Sequence, residues 1–216
     1  MTNTTILPRP TAPRVARFAR TAALARAAAP LLLAALAACG DDNDPVGASA
    51  PNTVRFTYAA SGPTEGVEGD YNAVGDPDRA VPPLTQTYAL GRRDPGEGLL
   101  EVVSNVAYPQ QEADFVTITI PRLTEGSVAI DGTCPGELCP GVSLGLELST
   151  AVAVSQARYS CALETGTIRV ASIRDNRMKG TFSGTGSCIG APGYEDLDEF
   201  SITGGTFNVK VVDVPG

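Results

Sequence analysis

The chain contains no histidine and no tryptophan among its 216 residues. Histidine is the commonest general base and metal ligand at neutral pH, so its absence excludes Ser-His-Asp and Cys-His catalytic groups and His-zinc sites. Neither a Ser-x-x-Lys motif nor a Gly-x-x-x-x-Gly-Lys phosphate loop is present. These absences favour a protein that is not an enzyme, and they indicate no cofactor.

Long hydrophobic runs are also missing. The apolar stretch at residues 27–38 would reach only about 18 Å as a helix, against roughly 30 Å for the hydrocarbon core of a bilayer. It follows a segment with no acidic residue and five arginines, namely Arg9, Arg14, Arg17, Arg20 and Arg26. A cationic start, a short apolar centre and small residues before a cleavage point are typical of a signal peptide, which we predict at residues 1–38.

The end of this segment, Leu36-Ala37-Ala38-Cys39, resembles the lipobox of bacterial lipoproteins. In that family a signal peptidase cuts before a cysteine whose thiol carries a diacylglycerol. The resemblance implies that Cys39 is the lipidated first residue of the mature chain, with palmitate or similar acyl chains as its membrane anchor. Two or more chains anchor stably, because each buried CH₂ contributes about 0.8 kcal/mol. The alternatives are a buried N-terminal helix, or a plain signal peptide that leaves Cys39 as an odd thiol.

The same resemblance implies a location in the bacterial cell envelope. Gly40 follows the cysteine where aspartate would indicate inner-membrane retention in some bacteria, so the outer membrane is favoured. Residues 39–52 are small, polar and proline-containing, which predicts a lipidated flexible linker. Its three aspartates are interpreted as solvated charge rather than as a calcium site; they are Asp41, Asp42 and Asp44.

The predicted mature chain is strongly acidic. It holds all 24 acidic residues and 11 of the 16 basic ones, which gives a net charge of −13. Such a surface repels nucleic acids and anionic lipid headgroups. We therefore expect no nucleic-acid partner and contact with a membrane only through the lipid. The composition does not identify a protein or small-molecule partner.

Residues 53–216 are predicted to form a single β-rich domain, an antiparallel β-sandwich or barrel. Valine and threonine favour strands, and frequent glycine and proline supply turns. The clearest alternation places Val116, Ile118 and Ile120 on one face of a strand. The predicted strands are residues 53–59, 71–74, 85–90, 99–107, 115–120, 127–130, 143–148, 156–163, 166–173, 177–188, 199–203 and 206–212. We expect Glu164-Thr165, Arg174-Asp175-Asn176 and Gly204-Gly205 to connect strands of a C-terminal antiparallel meander.

Four cysteines lie within this domain, an even number that favours two disulfides in an exported protein. Cys134 and Cys139 flank a loop short enough for its own bridge. Cys161 and Cys188 fall on the inward faces of their strands if each strand runs unbroken, because alternate residues then share one face. We therefore predict these two pairs among the three possible pairings. The alternative is a zinc site, for which only one of the two pairs is closely spaced.

Two further patterns suggest chemistry. Gly141-Val142-Ser143-Leu144-Gly145 matches the Gly-x-Ser-x-Gly elbow of hydrolases, but the elbow needs a helix after the serine and a histidine to activate it. The acidic stretch Glu195, Asp196, Asp198 and Glu199 is interpreted as a solvated loop. A carboxylate-based hydrolase acting on glycans, or a calcium-stabilised adhesion module, are the alternatives to a binding or structural role.

The C-terminal quarter carries a second resemblance. Residues 166–170, 179–186 and 200–209 contain a Gly-Thr-Phe strand and a Thr-Gly-Gly-Thr-Phe strand. This pattern is similar to one in uncharacterised bacterial lipoproteins that have a β-rich C-terminal domain. The resemblance implies fold class and location, and it implies no activity.

Overall fold

The computed structural model describes residues 51–77, 83–110, 112–134, 138–149 and 157–214. The predicted signal peptide and Cys39, with most of the linker, lie outside these ranges. The described residues form ten strands and no helix, so the all-β prediction is confirmed. The strands are β1 (Thr53–Ser61), β2 (Gly66–Val74), β3 (Tyr88–Asp94), β4 (Leu99–Tyr108), β5 (Glu112–Ile120), β6 (Gly126–Ile130), β7 (Gly141–Ser149), β8 (Tyr159–Arg174), β9 (Arg177–Gly190) and β10 (Leu197–Asp213). These ranges contain no helix that could cross a bilayer.

The strand pairings close on themselves. β10 pairs with β3, and the pairing continues through β4, β5, β7, β8 and β9 back to β10. β1 and β2 extend from the first part of β10, and β6 extends from the middle of β8. Every pairing is antiparallel except the one between β3 and β10, where Gly91 lies opposite Val211. β10 is long enough to pair with β1 as far as Asn208 and then with β3 beyond it.

β8, β9 and β10 form the predicted C-terminal meander, but two of the three predicted connections are wrong. Glu164-Thr165 lies within β8 and Gly204-Gly205 within β10, each at a register shift against β9. A bulge inserts a residue without ending a strand, and Gly204 has a φ of 61° that glycine adopts at little cost. Asp175-Asn176 is a true two-residue turn, with φ of 52° and 56°.

The remaining boundaries agree more closely with the alternation of the sequence. β2 begins at Gly66 rather than at Tyr71, and β3 begins at Tyr88 rather than at Thr85. The extra residues of β2 include Gly66 and Gly69, whose low strand propensity concealed the strand. Backbone pairing with β1 along its whole length keeps this segment extended where its local strand propensity is low.

Alternate residues of most strands point into one continuous apolar interior. Val116, Ile118 and Ile120 are fully buried there, as their alternation predicted. Phe56 stacks on Tyr71 with ring centroids 4.6 Å apart and meets Phe182 edge-on at 5.5 Å. Inward-facing side chains of β1, β2, β4, β5 and β7 therefore meet in this interior, and the candidate site lies at one end of the same rows.

Candidate functional site

Both predicted disulfides are present. Cys161 lies directly opposite Cys188 across β8 and β9, and the two side chains are only 2% and 1% exposed. Cys134 bonds to Cys139 and closes the short loop between β6 and β7. Strand parity and loop length were sufficient to select this pairing. Four of the five cysteines are thus joined in pairs.

The serine of the Gly-x-Ser-x-Gly match lies in the middle of a strand. Ser143 belongs to β7, where it pairs with Thr117 on one side and with Ala162 on the other. The elbow requires a helix after its serine, and here the strand continues for six residues to Ser149. The match is therefore a strand sequence, as the sequence indicated, and the structure shows that its serine is exposed.

The predicted acidic stretch divides into two halves with different contacts. A carboxylate oxygen of Glu195 accepts the backbone N–H groups of Thr64 and Glu65, both at 2.8 Å, and so holds the β1–β2 turn. Hydrogen bonds from Thr64, with a smaller contribution from Glu65, hold the pKa of Glu195 below its usual range. Asp196 accepts the N–H of Gly190 at 2.9 Å. These two acids stabilise turns.

The other half, Asp198 and Glu199, lines a cleft of about 800 Å³ that we call the outer cleft. The cleft crosses the solvent-facing side of five strands, and Glu68 and Glu164 complete its acidic lining. All four carboxylates are exposed. Its floor is a row of small residues paired across the strands: Ala59, Ser201, Thr185 and Thr165. In the part of the chain that the structure describes, no three acidic or cysteine side chains come together as a metal site would require.

A second hollow, of about 480 Å³, lies where the inward-facing rows end, and we call it the Asp114 pocket. Five strands contribute side chains to it. Its lining is Tyr58, Val67, Tyr108, Gln110, Glu112, Asp114, Leu146 and Glu147. Two phenols, three carboxyl groups and two aliphatic side chains thus line one hollow at the end of the apolar interior, although the three carboxyl groups are not clustered as metal ligands would be.

Asp114 is the buried member of this group, at 4% exposure. Its Oδ2 accepts the Tyr108 hydroxyl at 2.8 Å, and its Oδ1 accepts the backbone N–H of Glu147 at 2.9 Å. The second bond depends on a bulge, because Leu146 and Glu147 of β7 together oppose Asp114 of β5. Glu147 has a φ of 52°, a left-handed conformation that non-glycine residues rarely adopt. Backbone strain of this kind is concentrated at functional sites.

Burial shifts the titration of the groups in this pocket. Removal from water raises the pKa of the Asp114 carboxyl, and the charge of Glu147 adds to that effect. The two hydrogen bonds to Asp114 offset part of the rise. Burial also raises the pKa of Tyr58 to about 12, with smaller contributions from the charges of Asp114 and Glu147. Burial, together with the hydrogen bond to Asp114, also raises the pKa of Tyr108. Both tyrosines are therefore protonated donors at neutral pH.

The cation that pairs with a lining residue of the pocket is Arg158. Arg158 donates to Glu147 at 3.0 Å, and its other terminal nitrogen lies 3.6 Å from Glu65. The guanidinium also lies 4.5 Å from the centre of the Tyr194 ring. Arg158 therefore neutralises Glu147 and Glu65 and makes no ion pair with Asp114 among the described residues.

No family model matches this chain, and the searches of curated proteins and of solved structures found no match.

Sequence reasoning did not single out Asp114, although a signal for it is present. Asp114 stands two residues before Val116, in phase with the inward-facing row of β5. An acidic residue in phase with a buried apolar face is costly unless something compensates it, so it indicates a site. Tyr58 is in phase with Phe56 in the same way. The bulge that brings Glu147 to Asp114 has no comparable signal in the sequence.

Proposed function

We propose that this protein is a lipid-anchored component of the bacterial cell envelope whose β domain acts by binding. The supporting observation is the cysteine arrangement: the disulfides use four of five cysteines, and Cys39 is the one that remains. Disulfides persist in oxidising compartments, which fits an exported domain. The fifth cysteine directly follows Leu36-Ala37-Ala38, where the lipobox resemblance requires its lipid acceptor.

Binding is the activity that the two hollows support best. Each is concave and has a volume within the range of small-ligand sites. The acids of the outer cleft are exposed, and two of them accept hydrogen bonds from neighbouring serines, Glu199 from Ser61 and Glu164 from Ser187. In this proposal the acyl chains include palmitate, and Gly40 favours the outer membrane.

A carboxylate-based hydrolase is the second candidate, because Asp114 has the buried setting and raised pKa of a general acid. The second carboxylate of this proposal is Glu147 in the same pocket, which is exposed and bound to Arg158. Release of reducing ends from peptidoglycan or other envelope glycans by the wild type, abolished in Asp114→Asn, would establish this activity. Equal rates for both proteins would reject it.

Lipidation is tested by expressing the full chain in bacteria supplied with an alkyne-labelled palmitate analogue, followed by mass spectrometry of the N-terminal peptide. We expect the wild type to begin at Cys39 and to carry the diacylglycerol thioether, because the lipobox precedes that residue. Cys39→Ser should keep residues 1–38 and take up no label. A Cys134→Ser, Cys139→Ser double variant is the matched control and should be labelled like the wild type. A wild-type protein with an intact Met1, or without acyl mass at its first residue, would refute the proposal.

A further inference from the structure

We propose that the Asp114 pocket binds a primary alkylammonium group, an inference that rests on the binding role proposed above and gives that role a ligand class. The pocket combines an unbalanced buried carboxyl group, two phenols and an apolar wall. The carboxyl group and the aromatic rings favour a cation, and the apolar wall favours one that carries a hydrocarbon chain.

The charge balance of the pocket is the first observation. Three carboxyl groups line it and no lysine or arginine does. Glu147 has a cationic partner in Arg158, whereas Asp114 has none among the described residues. The groups that hydrogen-bond Asp114, the Tyr108 hydroxyl and the Glu147 N–H, are neutral. A buried carboxylate without a counter-charge is costly, and a bound cation would remove that cost.

The walls of the pocket are the second observation. Tyr58 lies across Gly69 of the neighbouring strand, so closely that a Cβ on Gly69 would stand 2.9 Å from the phenol oxygen. The hydroxyl of Tyr58 makes no hydrogen bond to any residue in the described ranges and is available to a ligand. Aromatic rings attract ammonium groups, and the side chains of Val67 and Leu146 provide apolar contact for a methylene chain.

The free positions on Asp114 distinguish ammonium from other cations. Each of its oxygens already accepts one hydrogen bond, so only one acceptor position per oxygen remains for the parallel two-oxygen pairing that a guanidinium prefers. A hard metal ion requires several converging oxygens, and no such group of side chains occurs in the described part of the chain. An ammonium group is a compact charge with three donors, which matches one partly satisfied carboxylate beside two phenols.

The test uses the purified full chain in detergent and n-hexylammonium chloride as the probe, with 1-hexanol as its neutral counterpart, both titrated by calorimetry. We expect hexylammonium to bind the wild type at least about tenfold more tightly than hexanol, because only the cation pairs with Asp114. Asp114→Asn keeps the shape and, through its one carbonyl oxygen, the hydrogen bond from the Glu147 N–H, but its amide nitrogen cannot accept the Tyr108 hydroxyl. The variant removes the charge and should weaken hexylammonium binding by about tenfold or more. Glu97→Gln is the matched control. It removes one exposed carboxylate from the β3–β4 turn and should leave the affinity for hexylammonium unchanged.

A second variant keeps the proposal falsifiable if Asp114→Asn fails to fold. Tyr58→Leu removes an aromatic ring without touching any charge, and it should weaken hexylammonium binding about threefold and leave hexanol binding unchanged or stronger. Equal binding of hexylammonium and hexanol to the wild type, no binding of hexylammonium, or unchanged affinity in a folded Asp114→Asn would each overturn the proposal. A lipidated protein that fails to bind refutes only the ammonium site, whereas a protein that binds without acyl mass at Cys39 refutes only the lipid anchor.

Discussion

The outer cleft and the Asp114 pocket are both lined by acids, but they place those acids in opposite environments. In the outer cleft Glu68, Glu164, Asp198 and Glu199 are exposed on the solvent side of the strands. In the pocket Asp114 is buried at the end of an apolar row and depends on the protein for its hydrogen bonds. Water compensates a carboxylate in the first case, and the fold must compensate it in the second. Residue type alone therefore does not define an acidic site.

The largest effect that would distinguish the two hollows is on stability. Asp114→Ala leaves the N–H of Glu147 without its acceptor, so we expect a loss of about 2 kcal/mol in the free energy of unfolding. Glu199→Ala, the matched change in the outer cleft, should alter that free energy by less than about 0.5 kcal/mol. Urea denaturation of both variants measures the difference. Similar losses in both would show that the environments are not different.

The pH dependence of stability should have opposite signs for the buried Asp114 and for Glu195, whose carboxylate is held by hydrogen bonds. The pKa of Asp114 is raised by burial, so its favourable contribution is complete below the unfolded value of about 3.9 and is lost as pH rises through the folded value. The pKa of Glu195 is lowered by the hydrogen bonds from Thr64, so its contribution is present above about 4.3 and is lost as pH falls.

Thermal unfolding from about pH 3 to pH 8 therefore separates the two acids. Relative to wild type, Asp114→Asn should gain stability as pH rises, and Glu195→Gln should lose it. If both variants showed the same trend, the burial of Asp114 would not control its protonation.

The smallest effect concerns the position of Tyr58. Gly69→Ala places a methyl group against the phenol, so the ring must move and expose its hydroxyl further. We expect a loss of about 1 kcal/mol, and a fall in the pKa of Tyr58 from about 12 towards its ordinary range, measured by ultraviolet titration. Gly141→Ala is the control, because nothing lies within 4 Å of its added Cβ. An unchanged tyrosine titration in Gly69→Ala would mean that Gly69 does not position the ring.

The two-residue repeat of apolar side chains, and the inward or outward face that it assigns to each residue, predicted the parts of the fold that depend on one strand or one short loop. The inward row of Val116, Ile118 and Ile120 is one example, and the burial of Cys161 and Cys188 is another. The errors occurred where glycine or a charged residue interrupts a long strand, as at Gly204-Gly205 and Glu164-Thr165. Pairing with a distant strand keeps such a segment extended, and local propensity contains no information on that pairing.

The candidate site was harder to predict for the same reason. The phase of Asp114 is visible in the sequence, but its setting depends on residues from β1, β2, β4 and β7. The left-handed conformation of Glu147 occurs at the mismatch of register between β5 and β7, which depends on both strands. The site forms at a bulge that joins residues more than 30 positions apart in the chain. It therefore exists only when the sheet is assembled, and no local stretch of the sequence predicts it.

Closure of the sheet leaves β2 and β6 as its outermost strands in the described part of the chain. An outermost strand offers free backbone groups that can recruit another molecule and start aggregation, and proteins prevent this with charge or with short length. β2 carries Glu68 and Asp70 on its solvent side, and β6 is only five residues long. Under the lipid anchor proposed above, copies of this protein would be concentrated on a membrane surface, and the charge of β2 and the shortness of β6 would oppose strand pairing between them.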